Sequence, residues 1–253
     1  MNILIYGIGG KMGKMLIDGL TNDTEATLIG GVDKFADPQK FDVPVFKSAS
    51  DINVKVDALI DFSRAEALDD ILAYATKNKV PSVICTTGYS DAQLKQIEEA
   101  SKIIPIFRSS NMSLGINLVI DLCRKASQLL KEDCDIEIIE QHHNQKVDAP
   151  SGTAIAIANA INEEYSNEKE FVYGRKETNK KREKKEIGIH AVRGGTIVGK
   201  HDVLFISQDE VVTIAHEAQS RAVFAKGAIR AAKYLTTLTK PGIYNMQDLV
   251  QSI

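Results

Sequence analysis

The chain has 253 residues, with 31 Lys plus Arg against 34 Asp plus Glu and a formal net charge of −3, a balance that gives no basic field for nucleic acid or an anionic membrane. Its 43% hydrophobic residues and 17 glycines exclude collagen-like, disordered and disulfide-scaffold classes. Three cysteines, Cys85, Cys123 and Cys134, form no C-x-x-C pair, which fits a reducing compartment better than a disulfide framework or structural zinc.

Met1-Asn2 runs straight into Ile3-Leu4-Ile5-Tyr6-Gly7 without a basic leader or small-residue cleavage pattern, and no apolar run reaches the ~18 residues of a membrane helix. The expectation is a cytoplasmic protein with no membrane partner. Residues 3–6, 26–32, 58–62, 82–85 and 103–107 read as strands of a buried parallel sheet. Helical patterns over 11–20, 65–77 and 91–101 alternate with them, the last with Ser90 as N-cap. This alternation predicts a Rossmann-like doubly wound α/β sheet.

The pattern then changes. Residues 115–130 keep helical spacing through Ile116, Val119, Ile120, Cys123 and Leu130, 135–140 read as a strand, 141–150 as a polar stretch and 153–165 as a helix. Strand-like runs at 187–193, 196–206 and 210–215, joined by short turns such as Gly194-Gly195, predict a second α+β domain with a mostly antiparallel sheet. Alternate apolar positions, Val203 and Phe205 in one strand and Val211, Thr213 and Ala215 in the next, read as sheet-to-sheet contact between subunits. Residues 221–236 return to helix. The expected organisation is a dinucleotide-binding domain over 1–111, a substrate-binding and oligomerisation domain over 112–221, and a helical segment over 222–253 that returns to the first domain. Residues 174–186 are charged at 10 of 13 positions, seven basic and three acidic. With no aromatic residues interleaved for base stacking, they read as a solvated, mobile loop.

Two stretches carry chemistry. Gly7-Ile8-Gly9-Gly10-Lys11-Met12-Gly13 lies between the first strand and the first helix, where glycine permits a tight turn and close backbone approach to a pyrophosphate. The helix start then offers free N–H groups and partial positive charge to that anion. Met12 stands in the last glycine's place of G-x-G-x-x-G, and Gly13 follows it. Asp33, at the end of the next strand, lies where an acid accepts hydrogen bonds from an adenosine ribose. Lys34 beside it suits a 2′-phosphate, so NADPH and NADH both stay open.

The second stretch runs from Glu140 through Gln141-His142-His143-Asn144-Gln145-Lys146-Val147-Asp148-Ala149-Pro150-Ser151-Gly152-Thr153. Histidine exchanges a proton near neutral pH, and a nearby lysine donates a proton or holds a carboxylate. The helix start at Ser151-Gly152-Thr153 forms an anion cradle from free N–H groups and two hydroxyls. Together they point to a small acidic substrate. Metal binding by His142, His143 and Asp148 is a weaker reading, without H-E-x-x-H or Cys/His spacing.

These segments, H-H-N-Q-K-V-D-A-P-S-G-T and G-I-G-G-K-M-G, resemble the 4-hydroxy-tetrahydrodipicolinate reductases (dihydrodipicolinate reductases), and the resemblance covers essentially the whole chain. It implies reduction of a cyclic imine dicarboxylate with loss of water, in diaminopimelate and lysine biosynthesis. His142 would be the general acid/base and Lys146 a second proton donor. His143, Lys146, Ser151, Gly152 and Thr153 would hold the substrate carboxylates. Gly7, Ile8, Gly9, Gly10, Lys11, Met12, Asp33, Lys34, Phe62, Cys85, Thr86, Thr87, Ser109, Ser110, Asn111 and Met112 would surround the dinucleotide. The resemblance also implies a homotetramer. Closure of two domains to exclude water would need hinges near 109–113 and 221. Cys85 stands where that family usually has glycine. Two other readings stay open: another two-domain dehydrogenase of a small acidic substrate, and a non-catalytic dinucleotide sensor.

Overall fold

Strand–helix alternation in the first hundred residues builds one parallel sheet. In the computed structural model, which describes residues 1–109, 111–131, 133–176 and 180–252, the order is β1 (Asn2–Tyr6), α1 (Lys11–Leu20), β2 (Thr27–Val32), β3 (Val45–Phe46), β4 (Ala58–Asp61), α2 (Leu68–Asn78), β5 (Ser82–Ile84), α3 (Asp91–Ser101) and β6 (Pro105–Arg108). Then come α4 (Leu114–Leu129), β7 (Asp135–His142), α5 (Gly152–Glu164), β8 (Glu170–Tyr173), β9 (Glu186–Arg193), β10 (Gly199–Ile206) and β11 (Val211–Ala218). The chain ends in α6 (Ala222–Thr237), β12 (Gly242–Tyr244) and α7 (Met246–Gln251). It divides into two units, Met1–Ser113 with Arg221–Ile253, and Leu114–Ser220.

In the first unit, seven parallel strands stand in the order β12-β6-β5-β4-β1-β2-β3. From β1 the chain winds one way through β2 and β3, and from β4 the other way through β5 and β6. The reversal leaves a crevice between the carboxyl ends of β1 and β4, where such sheets bind ligands. The predicted bounds of α1 and α3 hold. Ser90 caps α3 by accepting the Gln93 N–H, and the Gln93 side chain accepts the Ser90 N–H at 3.0 Å. The predicted helix over 65–77 instead begins with a 3₁₀ turn, Ala65–Ala67, ahead of α2. The helical spacing of Ala222, Ala225, Ala228, Ile229 and Ala232 puts them on one side of α6, where all but the half-buried Ala222 are buried.

The second unit has a five-stranded sheet in the order β11-β10-β7-β9-β8. Strand β10 is antiparallel to β11 and β7, whereas β9 is parallel to β7 and β8. The sheet is therefore mixed, and the turn at Gly194-Gly195 does not join a hairpin, because β7 lies between β9 and β10. One face packs α4 and α5 over Ile136, Ile138, Ile157, Ile161, Ile187, Ile189, Val203 and Phe205. Val203 and Phe205 thus belong to this unit's own core, which corrects their reading as subunit contacts. The register explains it: Leu204 pairs with Thr213 and Ile206 with Val211, so Val211, Thr213 and Ala215 share the opposite face.

The charged segment 174–186 also departs from a freely solvated loop. Arg175 and Arg182 fold back onto Glu137, and Arg182 also reaches Asp135 at 2.7 Å. Residues 177–179 of the segment lie outside the described residues. Among the described residues, no helix is long and apolar enough to cross a membrane.

Candidate functional site

Two groups of side chains stand out, one in each unit. In the first, the loop after β1 closes on itself through the Gly10 N–H to Gly7 carbonyl bond of 3.0 Å. Gly7 has φ +79°, and a Cβ there would lie 2.6 Å from the Phe62 carbonyl oxygen; only glycine fits without strain. A Cβ on Gly13 would meet the Ile8 carbonyl oxygen at 2.3 Å. Gly13, one position past the usual place, therefore gives α1 its close approach to the loop.

Asp33 accepts the Gly9 N–H at 3.0 Å through one oxygen and the Phe35 and Ala36 N–H groups through the other. It joins the glycine loop to the end of β2, and Lys34 beside it is exposed. Phe62, Cys85, Thr86 and Thr87 line a cavity of about 420 Å³ with Ser63, Arg64, Ala65 and Glu66. Asp61, a residue with no assigned role in the sequence reading, lies fully buried at the end of β4. It accepts the Ser63 N–H at 2.8 Å and the Tyr89 hydroxyl at 3.2 Å, and burial raises its carboxyl above the ordinary range. Ser109 and Asn111 shape the turn after β6, where Asn111 accepts the Ser113 N–H. Met112 is packed away, its carbonyl set where only a glycine at 227 in α6 leaves room. Ser110 lies outside the described residues.

The second group is centred on Glu140 and His142, both on the buried face of β7. Glu140 accepts four hydrogen bonds. Arg193 of β9 grips it with two guanidinium nitrogens at 2.7 and 2.8 Å, His142 Nδ1 lies 2.6 Å away, and the Ser151 N–H donates at 2.9 Å. Burial alone would raise the Glu140 carboxyl; the bonds from Arg193, His142 and Ser151 outweigh it and hold it below the usual range. Burial also lowers the His142 imidazole, with Lys146 and Arg193 adding to that and Glu140 opposing it.

Ser151 caps α5, its hydroxyl oxygen accepting the Ala154 N–H at 3.2 Å and meeting His201 Nε2 at 3.1 Å. His201 stacks edge-on against His142 with 5.3 Å between ring centroids, and burial pushes it down to about 4. Ser151 is only 1% exposed, so its polar atoms serve the turn itself. Gly152 beside it is exposed, with open space where a Cβ would be.

Lys146 pairs with Asp148 at 2.9 Å within the loop after β7, so Asp148 is turned to the lysine rather than toward the histidines. His143 is half-buried at the start of that loop. Arg193 holds the loop through the Asp148 carbonyl at 2.6 Å, and the Gly194 N–H donates to the His142 carbonyl. The structure thus gathers His142, Lys146 and the start of α5 around partners that the sequence left unassigned: Glu140, Arg193 and His201. The contacts of Arg193 with Glu140 and of His201 with Ser151 span 53 and 50 residues, beyond any local pattern. The one local trace is the alternation continuing past Ile138 through Glu140 to His142.

The N-terminal and C-terminal profiles of dihydrodipicolinate reductase match residues 1–112 and 115–250. The chain belongs to the dihydrodipicolinate reductase family. A 4-hydroxy-tetrahydrodipicolinate reductase from Caldanaerobacter subterraneus subsp. tengcongensis is 51% identical over 251 residues, covering 99% of this chain and 98% of that one. One from Clostridium botulinum is 49% identical over 250 residues, with the same coverage. Among solved structures, a dipicolinate-bound dihydrodipicolinate reductase from Paenisporosarcina sp. TG-14 matches at TM-score 0.80 and 25% identity, covering 97% of each chain. A probable dehydrogenase from Thermotoga maritima, at TM-score 0.62 and 11% identity over 100% of this chain and 93% of that one, shares the fold. Cys123 and Cys134 are buried, and burial pushes the Cys123 thiol up to about 12, far from a reactive thiolate.

Proposed function

We propose that this protein reduces 4-hydroxy-tetrahydrodipicolinate to tetrahydrodipicolinate, with loss of the 4-hydroxyl as water. The observation that carries this reading is His142, wired to Glu140 and Arg193, beside Lys146 and the open first turn of α5. Full-length relatives of that name at about half identity support it.

NADPH and/or NADH, when bound, supplies hydride. The backbone cradle at Gly7 and Gly13, which any Cβ would obstruct, fits a pyrophosphate at the start of α1. Gly7, Ile8, Gly9, Gly10, Lys11 and Met12 would hold it, with Asp33 and Lys34 toward the ribose. Phe62, Cys85, Thr86, Thr87, Ser109, Ser110 and Asn111 would surround the remainder, and Met112 would support the turn from within. On this reading residues 1–111 form the dinucleotide-binding domain, with 222–253 completing it and 112–221 holding substrate.

Adding hydride to a system conjugated with an imine builds negative charge, so the protein must supply a proton. That is the task of His142, and general acid catalysis is typically worth ~10²–10⁴ in rate. Lys146 is a second donor. His143, Lys146, Gly152 and Thr153 hold the carboxylates, with Ser151 fixing the turn beneath them. A helix start favours an anion by ~0.3–1 kcal/mol when exposed, so most of the selectivity for a dicarboxylate falls to the charged side chains.

The exposed β11 face with Val211, Thr213 and Ala215, backed by Leu204 and Ile206, supports a homotetramer built sheet to sheet; sedimentation tests it. The decisive assay uses freshly generated substrate with NADH and NADPH side by side. His142→Gln and Lys146→Ala each lower turnover by about 10²-fold or more and leave dinucleotide affinity unchanged. Full turnover in both variants overturns the assignment.

A further inference from the structure

The function above needs a proton at one defined atom of His142, and the residues behind the imidazole decide which. Glu140 is fully buried and makes four bonds as an acceptor. Only a carboxylate accepts from a guanidinium fork, a backbone N–H and an imidazole together, since an ionised carboxyl has no proton to donate. Its partner nitrogen, His142 Nδ1, must therefore carry a hydrogen in both the neutral and the charged ring. Exchange is left to Nε2. That atom faces Gly199, where a Cβ would stand only 3.0 Å away.

Resting on the proposed reaction, we infer that Glu140 is the positioning residue of the site, fixing His142 as the Nδ1–H tautomer while its bond to the Ser151 N–H holds the start of α5 in the same frame. Arg193 is the second half of the device. Glu140 alone would stabilise the imidazolium and make it a poor proton donor; the guanidinium offsets part of that charge, so the ring can both bind and release a proton. The groups facing His142 are Glu140 of its own strand, Arg193 of β9, His201 of β10 and Lys146 of the loop after β7, with His216 of β11 opposite His201. Asp148 is turned to Lys146, so among the described residues Glu140 is the anion that bonds the ring.

The pH profile separates this role from a merely structural one. His142 acts as an acid, so kcat/KM falls as pH rises through its pKa. Glu140→Gln removes the anion that favours the charged ring, and the falling limb moves down by about one pH unit or more. Arg193→Gln removes the opposing cation, and the limb moves up. Limbs that stay in place, or move the same way in both variants, overturn the inference. A measurement on the unaltered protein covers variants that fail to fold: nitrogen-15 NMR of the histidines, with His142 assigned by its loss in His142→Gln. A neutral ring protonated at Nδ1 supports the inference and one protonated at Nε2 overturns it. Absence of reductase activity in the unaltered protein overturns the proposed reaction instead, and the tautomer is read independently of it.

Discussion

Ser151 tests whether the α5 turn is a built frame or a ligand-binding surface. Ser151→Ala removes the hydroxyl that accepts the Ala154 N–H at 3.2 Å and bonds His201 Nε2 at 3.1 Å. Loss of an N-cap costs about 0.5–2 kcal/mol. His201, 3% exposed, then keeps a buried ring nitrogen without its partner, at about 1–3 kcal/mol. Both bonds are made by the one hydroxyl, and together the losses come to about 1.5–5 kcal/mol. Urea unfolding, followed by hydrogen exchange of the α5 amides, reads this loss within the second unit. At ~2 kcal/mol per molar urea, the middle of the typical range, a loss of about 3 kcal/mol lowers the midpoint by about 1.5 M. Ser151→Thr keeps the hydroxyl and stays within about 1 kcal/mol of the parent. A Ser151→Ala protein that loses less than about 0.5 kcal/mol, yet binds dipicolinate more weakly, refutes the frame and makes the hydroxyl a direct ligand.

Two further outcomes follow from the same geometry. His201 titrates near 4 in the fold, below its ordinary 6.5, so between these values the unfolded chain binds a proton that the native protein does not. Stability is therefore complete above about pH 6.5 and declines as pH falls toward 4, by about 3 kcal/mol for this group; urea midpoints across that range show it, and a His201→Phe protein as acid-sensitive as the parent contradicts it. Gly13→Ala places a Cβ 2.3 Å from the Ile8 carbonyl oxygen, whereas Gly152→Ala meets nothing within 4 Å. The first loses dinucleotide affinity at least tenfold and about 3 kcal/mol or more of stability, and the second leaves both unchanged; thermal shifts with and without dinucleotide make the comparison.

Local chemistry in the sequence was enough for the parallel sheet and for helices with strong start signals. Ser90 and Gln93 mark α3 because a capping box is a property of four consecutive residues. Strands β3 and β12, of two and three residues, were not among the strands read from the sequence. Pairing of β9 with β10 was expected from their closeness in sequence, but β7 takes the place between them, a choice made by the core and not by the Gly194-Gly195 turn. The site was half legible. His142, Lys146 and the start of α5 fall in one segment, and Glu140 opens that segment without a role assigned to it. Its burial depends on Arg193, 53 residues away. Likewise, His201 carried no local signal, and the register of its strand opposite Glu140 puts it inward.

The inner face of the second sheet explains why these polar residues are where they are. Along β7, β9 and β10, one rung joins Ile136, Ile187 and Phe205, and the next joins Ile138, Ile189 and Val203. The third brings Glu140 opposite His201, itself opposite His216, and His142 follows beside Arg193. The side-chain period of two carries the core straight into the site, so a slip of one residue would bury Glu137 and expose Glu140. An apolar residue at position 140 would be simpler to bury, since taking a carboxylate and a guanidinium from water costs several kcal/mol per ion before pairing. The pair repays that cost only through complete hydrogen bonding, and apolar replacements of such pairs are often neutral or stabilising. Stability alone gives no reason for an acid on this rung. What it does supply is a partner for His142 Nδ1 and a fixed start for α5, both of use to the proposed reaction, in which an anion is protonated at one atom.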